Sequence, residues 1–476
     1  MSTTKNRIYL HSFICFMLPD TRHFPSFKIS SGLILSALLS LLIFKCLPAY
    51  AQTGEDSNSF IQQFYGRTTI QNCNESQNEG CIKNLLEKKE CVQCNLKNAD
   101  LRNIKIEDAN IQKSNLSEAN LENAQLTGAK ISQSILNSTF LVNAFLNKAD
   151  LNKTRIQNSN LSGTTFDGGS LKSATILDSN LSNSSYKKGS LQNLKMVNSN
   201  ALYADFSEAN LEGAQLIESD LSFANFSKVY AYKTDFSNST LVSANLEGAN
   251  LIGAVFIEAD LSNANLSNTK LISANLSRAK FENTRFENAS LEKANFYQST
   301  LRGAILKGAN LEEADFREAN LTEVDLSGAN LKNAQFEGAI LRGAILAGAD
   351  LQGANLEKGK LTGANLENAN LQDANLKRAN LIGVNFKNAN MKKTDLLSSD
   401  PRNASFVSAD LVGANLKKAK LIGADFSFAD LTNASLFTAL IEKAIFNQTV
   451  LNKTTWINGA ICKESSISIC HYESEK

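Results

Sequence analysis

Cysteine is the residue type in this sequence whose placement most clearly suggests chemistry. Beyond residue 51 there are six, all near the two ends of the chain: Cys73, Cys81, Cys91, Cys94, Cys462 and Cys470. An even number of clustered cysteines favours disulfides if the protein is exported. We predict a Cys462–Cys470 pair. The other four cysteines allow three pairings, of which Cys73–Cys81 with Cys91–Cys94 is the most local.

A zinc site is the alternative for the N-terminal group of cysteines. Cys91-Val92-Gln93-Cys94 has the ligand spacing of a four-cysteine zinc site. A thioredoxin-like redox role is weaker, because no βαβ pattern surrounds the CxxC motif. Disulfides remain our preferred interpretation, and the sequence predicts no metal site and no cofactor.

Histidine is too scarce to suggest catalysis. The three histidines are His11, His23 and His471, so the commonest general base is missing from the long middle of the chain. No phosphate-binding loop or nucleophile motif is present either. We therefore predict that the protein is not an enzyme and has no catalytic residues.

The first 51 residues are predicted to be a signal peptide. Gly32–Phe44 is a Leu-rich apolar run, and Ala49-Tyr50-Ala51 matches a small-x-small cleavage site, with Gln52 as the mature N-terminus. The run is shorter than the roughly 20 residues of a spanning helix. We predict export to a periplasm, a lumen or the extracellular space. The alternative is an uncleaved anchor, which would be the only membrane contact.

A five-residue unit dominates the rest of the sequence. Units run from Cys94 to Asn458 without an insertion or deletion, which makes 73 units over 365 residues. The third position, which we call the centre, is large and apolar in 70 units, and the first position is small in 71. The second position is often Asn or Asp, as in the unit 244–248, and the last two are polar or Gly.

This period excludes an α-helix. Five residues turn a helix by about 500°, so successive centres would lie about 140° apart around the cylinder. In an extended tripeptide, by contrast, the first and third positions point to one side and the second to the other. The last two residues, rich in Gly, Asn and Ser, can form a bend. Each unit is thus predicted to be one short side and one corner.

In these features the sequence resembles the pentapeptide-repeat family, whose units read A(D/N)Lxx, over about three quarters of the chain. The resemblance implies an all-β fold, a right-handed quadrilateral parallel β-helix, or solenoid, with four units per coil and about 18 coils. The centres would fill the interior, and main-chain hydrogen bonds would join successive coils. Some members of this family mimic DNA and inhibit topoisomerases.

The phenylalanines support a coil of four units. Sorting the centres by their place in such a coil puts almost all Phe on two alternate sides, with Phe281 as the exception, and indicates stacked aromatic ladders. One side carries Phe166, Phe206, Phe226, Phe286, Phe386, Phe406, Phe426 and Phe446, and the other carries Phe236, Phe256, Phe296, Phe316 and Phe336.

The ends and a few faults depart from the repeat. Residues 52–80 are predicted to be a polar segment, 81–93 a helical cap, 94–458 the solenoid and 459–476 a C-terminal cap with its cysteine pair. Ile82, Leu85 and Leu86 should share one face of the cap helix. Ala201 and Ala231 are too small for centres. Pro401 cannot donate a ladder hydrogen bond, so we expect a bend or a small bulge there.

An interaction role is the function that the sequence favours. Fourth-position residues one coil apart should stack on the outside of one side, and most are polar. The exceptions form a candidate patch for an unidentified protein partner or for self-association. These residues are Leu177, Val197, Ile217, Ile257 and Tyr297 on one side, and Tyr232, Ile252 and Ile272 on the preceding side.

Charge argues against nucleic acid as a partner. The chain has 48 basic and 47 acidic residues, a net charge of +1. Residues 204–373 hold 23 acidic and 14 basic residues, a net −9, far below the charge density of duplex DNA, so DNA mimicry is the first alternative to an interaction role, ahead of an uncharacterised enzyme. A smaller basic group could meet an anionic partner: Lys358, Lys377, Arg378, Lys417 and Lys418.

Overall fold

The repeats form a stack of coils joined at a constant register. The computed structural model describes residues 78–472, so the predicted signal peptide and Cys73 lie outside the described residues. Helix α1 (Asn78–Lys88) comes first. Five parallel strands form a sheet in chain order: β1 (Ile135–Asn137), β2 (Arg155–Gln157), β3 (Thr175–Leu177), β4 (Lys195–Val197) and β5 (Gln215–Ile217). The register pairs Leu136 with Ile156, the centre that follows four units later.

Single parallel bridges carry the same register along the chain, from Glu90↔Asn110 to Ser435↔Thr455. Since each unit pairs with the fourth unit after it, each coil has four sides. We call them A, B, C and D in chain order, with centres such as Phe226, Ala231, Phe236 and Leu241. The structure confirms the predicted parallel β-solenoid.

Each unit is bonded to the next coil and closed by its own turn. The Leu246 N–H donates to the carbonyl of Asn265 (2.7 Å), and the Asn265 N–H donates to the carbonyl of Ala244 (3.0 Å). The Ala249 N–H donates to the Leu246 carbonyl (3.0 Å), which closes a β-turn. Gly248, the third residue of that turn, has a φ of 68°, as a type II turn requires. This requirement explains the frequent Gly and Asn at the fifth position.

Asn and Asp recur at the second position because their side chains accept a backbone hydrogen bond in the turn that follows. The Oδ1 atom of Asn265 accepts the backbone N–H of Ser267 (3.1 Å), a donor that the ladder leaves unused. Neighbouring coils are also linked through these amides, as where the Nδ2 atom of Asn330 donates to Asn310 (2.8 Å). One Asn side chain can thus accept a backbone N–H of the turn and also form a hydrogen bond to the adjacent coil.

The interior is filled by the first and third positions, as predicted. Ala244 and Leu246 are at most 1% exposed. The aromatic ladders are present: ring centroids are 4.6 Å apart for Phe406 and Phe426 on side A, and 4.7 Å apart for Phe296 and Phe316 on side C. Tyr186 continues the ladder on side A, and burial raises its pKa to about 12.

At residue 169, glycine replaces the usual first-position alanine because an interior ring occupies the space of its side chain. A Cβ atom on Gly169 would lie 2.5 Å from the Cζ atom of Phe166, too close for any carbon contact. Phe166 is buried, so its ring has little room to retreat.

The irregular units at Ala231 and Pro401 disturb the solenoid only locally. Beside the small Ala231, the rings of Phe226 and Phe236 meet edge to face with centroids 5.8 Å apart. At Pro401 the predicted bulge is absent, because the bridges Asn380↔Asp400 and Ser405↔Asp425 keep the four-unit register. Proline costs the ladder one donor there, and the coil continues.

A ladder of buried hydroxyls accompanies the three-residue strands of side C. After β1 and β2, the turn-closing N–H is diverted: the Thr139 N–H donates to the Oγ atom of Ser159 (3.0 Å), and that of Ser159 to Ser179 (3.1 Å). The same diversion occurs on side B without a three-residue strand, since the Ser114 N–H donates to the Oγ atom of Ser134 (3.0 Å), so the hydroxyl ladder alone does not account for the strands. The series ends at Ser239, whose own N–H closes its turn on Phe236 (3.2 Å).

The N-terminal cap differs from the prediction in its bounds. Helix α1 begins at Asn78 and ends at Lys88, and Lys89 adopts a left-handed φ of 55° that terminates it. Residues 89–93 already form a coil unit, since Glu90 bridges to Asn110. The solenoid therefore starts one unit before residue 94.

The buried face of α1 also differs from the prediction. Cys81 and Leu85 are buried, Ile82 is partly buried, and Leu86 is 51% exposed. Among residues 78–472 no helix has the length and apolarity needed to cross a membrane.

The C-terminal cap folds back on the last coil. Two antiparallel bridges, Val450↔Ile467 and Thr455↔Ile461, cover the end of sides B and C. Cys462 and Cys470 form a disulfide with an S–S distance of 2.07 Å, and both side chains are buried.

We predict that Gly169→Ala destabilises the protein by about 1–3 kcal/mol, because the new methyl group overpacks the Phe166 ring. In a Phe166→Leu background the same change should cost less, since Leu with Ala is the combination found in most units. Unfolding in urea of the two single variants and the double variant measures this coupling. Equal costs of Gly169→Ala in both backgrounds would contradict it.

We predict that replacing Cys462 and Cys470 by Ser loosens the C-terminal cap by about 2–4 kcal/mol. The Leu451 N–H, which donates to the Ser466 carbonyl (2.8 Å), should then exchange faster with deuterium. The Leu331 N–H, bonded in mid-chain to Asp350, serves as the internal control. Unchanged protection of Leu451 would show that the disulfide does not hold the cap.

Candidate interaction surface

The shifted ionisable groups on the outside are surface ion pairs. A side-chain hydrogen bond from Arg102, with Nη2 2.6 Å from Oδ2, lowers the pKa of Asp100 to about 2. A hydrogen bond from Lys358 likewise lowers the pKa of Glu337. General acids and bases need a pKa near the working pH, and both of these shifts lead away from it.

One shallow groove on side A carries polar side chains. It has a volume of about 620 Å³ and includes Ser267, Arg285, Glu287 and Lys307. The Ser267 hydroxyl donates to Glu287 (2.9 Å), a serine–carboxylate contact that could suggest a nucleophile. Partial burial would raise the pKa of Glu287, but hydrogen bonds from Arg285 and Ser267 outweigh it and lower that pKa. The carboxylate is therefore a weak base.

The predicted apolar patch follows side C and the corner before it. Leu177, Val197 and Ile217 are Cα partners on β3, β4 and β5, so the register brings them together in a column. They are partly buried rather than fully exposed, and so are the other patch members, Tyr232, Ile252, Ile257, Ile272 and Tyr297. The structure thus assembles the column but gives it less exposed area than an outward strip of free side chains would have.

Charged groups flank this patch. The ammonium of Lys233 lies 5.1 Å from the ring centroid of Tyr232, and the guanidinium of Arg317 lies 6.0 Å from that of Tyr297. Glu258 pairs with Arg278 at 3.2 Å. The patch is therefore a half-buried apolar column with a charged rim.

The most exposed aromatic pair was missed by the sequence reasoning. Tyr203 and Phe223 are 54% and 48% exposed and stack with centroids 4.9 Å apart, both with φ in the left-handed region. The signal was available, because a bulky aromatic at the fifth position stands where Gly or Asn is expected. The C-terminal end was missed in the same way: Leu440 and Ile445 are large apolar residues at second positions and are 55% and 48% exposed.

The basic group is partly neutralised. Lys358 lies 2.9 Å from Glu337, and Lys377 lies 3.1 Å from Asp395. Arg378, Lys417 and Lys418 make no ion pair within residues 78–472. Positive charges are also interspersed among the acidic residues of 204–373. Eleven of these 23 acidic residues lie within 4.0 Å of a Lys or Arg.

The three N-terminal cysteines among the described residues are disulfide-bonded. Cys91 and Cys94 form a disulfide with an S–S distance of 2.05 Å, and Cys81 is also disulfide-bonded. The sulfur atoms of all three lie within 4.8 Å of one another, close enough to share a metal ion. Zinc requires thiolates, however, and these sulfurs are bonded to sulfur. The structure therefore contains the predicted Cys91–Cys94 disulfide.

Comparison with known proteins returns one family. The family model described as pentapeptide repeats (8 copies) matches ten segments, some of them overlapping: residues 94–133, 136–168, 204–241, 239–278, 269–308, 279–318, 294–333, 319–357, 360–396 and 402–436. A search of curated proteins found no match.

Solved structures of pentapeptide repeat proteins are among the matches. HetL, involved in heterocyst differentiation regulation in the cyanobacterium Nostoc sp. strain PCC 7120, is 29% identical over 53% of this chain and 91% of its own, with a TM-score of 0.21. A protein from the Arabidopsis thaliana thylakoid lumen is 33% identical over 24% of this chain and 69% of its own (TM-score 0.12). QnrB1, a plasmid-mediated fluoroquinolone resistance protein, is 18% identical over 37% and 91% (TM-score 0.22).

The family model covers more than half of the sequence, and it matches the same five-residue units that form the coils. The chain therefore belongs to the pentapeptide-repeat family.

Proposed function

We propose that this protein is a non-catalytic, exported scaffold that binds a protein partner along side C. The observation that carries this proposal is the column of Leu177, Val197 and Ile217, whose side chains point outward at a position that is polar in most units. Apolar side chains repeated once per coil form a continuous strip.

The unbroken repeat supports a binding role over catalysis. Binding and catalytic clefts of repeat proteins are usually built from inserted loops, and the 73 units contain no insertion. Without a cleft, binding would use the long outer surface of the solenoid, which suits recognition of an extended partner.

The distribution of charge does not favour DNA mimicry, the alternative considered for this chain. A DNA mimic needs a dense, continuous negative face. Lys and Arg side chains interrupt the acidic middle, as where Lys280 lies 3.6 Å from Asp260. Nucleic acid itself is not proposed as a partner.

Two features support the exported location. The apolar run of Gly32–Phe44 precedes the small-x-small motif ending at Ala51. Disulfides hold both ends of the solenoid, and disulfides persist chiefly in oxidising compartments.

The binding proposal is tested by substituting Ile217 and Ile257 with Ser. Ser237 and Ser277 occupy the same column in neighbouring coils, so the fold tolerates serine there. We expect the double variant to lose most of its crosslinked partner while keeping its unfolding temperature. The matched control is Ile382→Ser with Ile422→Ser, which changes half-buried fourth-position residues on side D. Equal capture by the two double variants would refute binding at side C.

The export proposal predicts that the mature protein begins at Gln52. Mass spectrometry of the N-terminal peptide of protein isolated from its native cells checks this. Peptides from Gly32–Phe44 in the mature protein would instead support an uncleaved anchor.

A further inference from the structure

Positive charge is unevenly distributed around the C-terminal third of the solenoid. Between residues 355 and 423, sides C and D carry eight basic and three acidic residues, a net +5. Sides A and B carry three of each over the same coils, a net charge of zero. The positive charge therefore lies on one half of the circumference, where it attracts partners of the opposite sign.

Most of the cations on this half lie at the corner between sides C and D. A fifth-position residue of side C is only two residues from the second position of side D, as Lys358 is from Lys360. We call the exposed cations of this corner the basic strip: Lys358, Lys360, Arg378, Lys417, Lys418 and Lys420. Since each coil advances by about 4.8 Å, the strip follows the corner over three coils, about 14 Å.

Most of the charge of the basic strip is not neutralised. Lys358 lies 2.9 Å from Glu337, and Lys420 lies 3.8 Å from Asp400, which also pairs with Arg402. Exposed pairs of this kind contribute little, so both lysines can exchange these partners for a ligand. Four members make no ion pair within residues 78–472: Lys360, Arg378, Lys417 and Lys418.

Two members of the basic strip are close enough to repel each other. The hydrogen bond that Lys358 donates to Glu337 raises the pKa of Lys358, and the like charge of Arg378 in the next coil opposes that rise. A negatively charged ligand lying across both cations would remove this repulsion.

The spacing within the basic strip suits a linear ligand. The fifth-position column of side C reads Lys358, Arg378, Ser398 and Lys418, with one residue in each successive coil. Ser398 is exposed, and its hydroxyl has no hydrogen-bond partner within residues 78–472. The rise of one coil, about 4.8 Å, is close to the length of one sugar unit in an extended polysaccharide. Successive sugar units of one chain would therefore meet successive coils.

The residue types of the basic strip favour carboxylates over phosphates as its ligand groups. Five of its six members are Lys, whereas Arg predominates where phosphate is bound in a bidentate manner. Proteins that bind single-stranded nucleic acid stack its bases on exposed aromatic rings. The two aromatic residues between 355 and 423, Phe386 and Phe406, are both buried. A membrane presents a flat surface, but the strip lies on a corner between two sides.

From these observations we propose that the basic strip binds a linear acidic polysaccharide of the polyuronate class. The carboxylates of the polymer meet the cations, and its hydroxyls meet polar groups between them, such as Ser398. The polymer lies along the corner between sides C and D, with one sugar unit per coil. The patch proposed to bind a protein ends at Tyr297, so this site is separate from it, and neither proposal depends on the other.

Two matched double variants test the proposal. Arg378→Gln with Lys417→Gln removes one fifth-position and one fourth-position cation from the basic strip. The control, Lys393→Gln with Lys387→Gln, removes exposed cations at the same two positions from sides B and A. Both variants lose the same charge, so their difference isolates the strip. Glutamine is tolerated at a fifth position, since Gln298 has a left-handed φ of 57° there.

The affinity is measured by titrating the purified full chain with low-ester polygalacturonate in the absence of divalent cations. We expect binding that weakens as salt is added. The strip variant should bind roughly tenfold more weakly or worse, and the control variant should bind as the unsubstituted protein does. Fully methyl-esterified polygalacturonate, which keeps the sugars and loses the charges, should not bind. Because the strip spans three coils, an oligomer of about four units should compete with the polymer, and the monomer should not.

Several results would overturn the proposal. These are no binding of polygalacturonate at low salt, equal affinities of the two double variants, and equal binding of the esterified polymer. Binding of an oligothymidylate at least as tightly as polygalacturonate would assign the basic strip to nucleic acid instead. The same result with phosphatidylglycerol vesicles would assign it to a membrane surface.

Discussion

Every coil of this protein depends on its neighbours for its backbone hydrogen bonds. A pentad alone can satisfy only the donors of its own turn, and its other backbone donors reach carbonyls of the next or the preceding coil, as from Leu246 to Asn265 and from Asn245 to Ala224. Buried polar groups must be paired, so the four-unit register is obligatory. The four-unit register stacks equivalent positions of successive coils on one another. This is why Phe follows Phe on sides A and C and why outward residues form columns.

The same dependence explains what the sequence could and could not predict. Centre residues such as Phe406 and Phe426 report the register directly, because a mismatch would separate their rings. The first coil unit was missed because Cys91 is an unusual centre and its unit begins with Lys89, the terminating residue of the helix. The fault at Pro401 was overestimated, since one lost donor does not disturb a ladder bonded on both sides.

Surface features were harder to predict because exposure depends on neighbouring coils. Ile217 was predicted to lie in an exposed patch on the outside of one side, and it packs there beside Val197 on the adjacent strand and is partly buried. The Ile441 N–H, which has no acceptor within residues 78–472, could not be foreseen as unpaired, because the sequence does not reveal how much of the last coil the cap covers. The ladder occupies the backbone along the described coils, so the binding proposed for side C relies on side chains.

Engineered disulfides test the register most directly. Asn310 and Asn330 form a parallel bridge, which places their Cα atoms about 5 Å apart and within disulfide range. Asp325 bridges instead to Ile305 and Ile345, so it lies on another side. The account predicts that cysteines at 310 and 330 crosslink under mild oxidation, and that cysteines at 310 and 325 do not. Crosslinking of the second pair, or of neither, would contradict the four-unit coil.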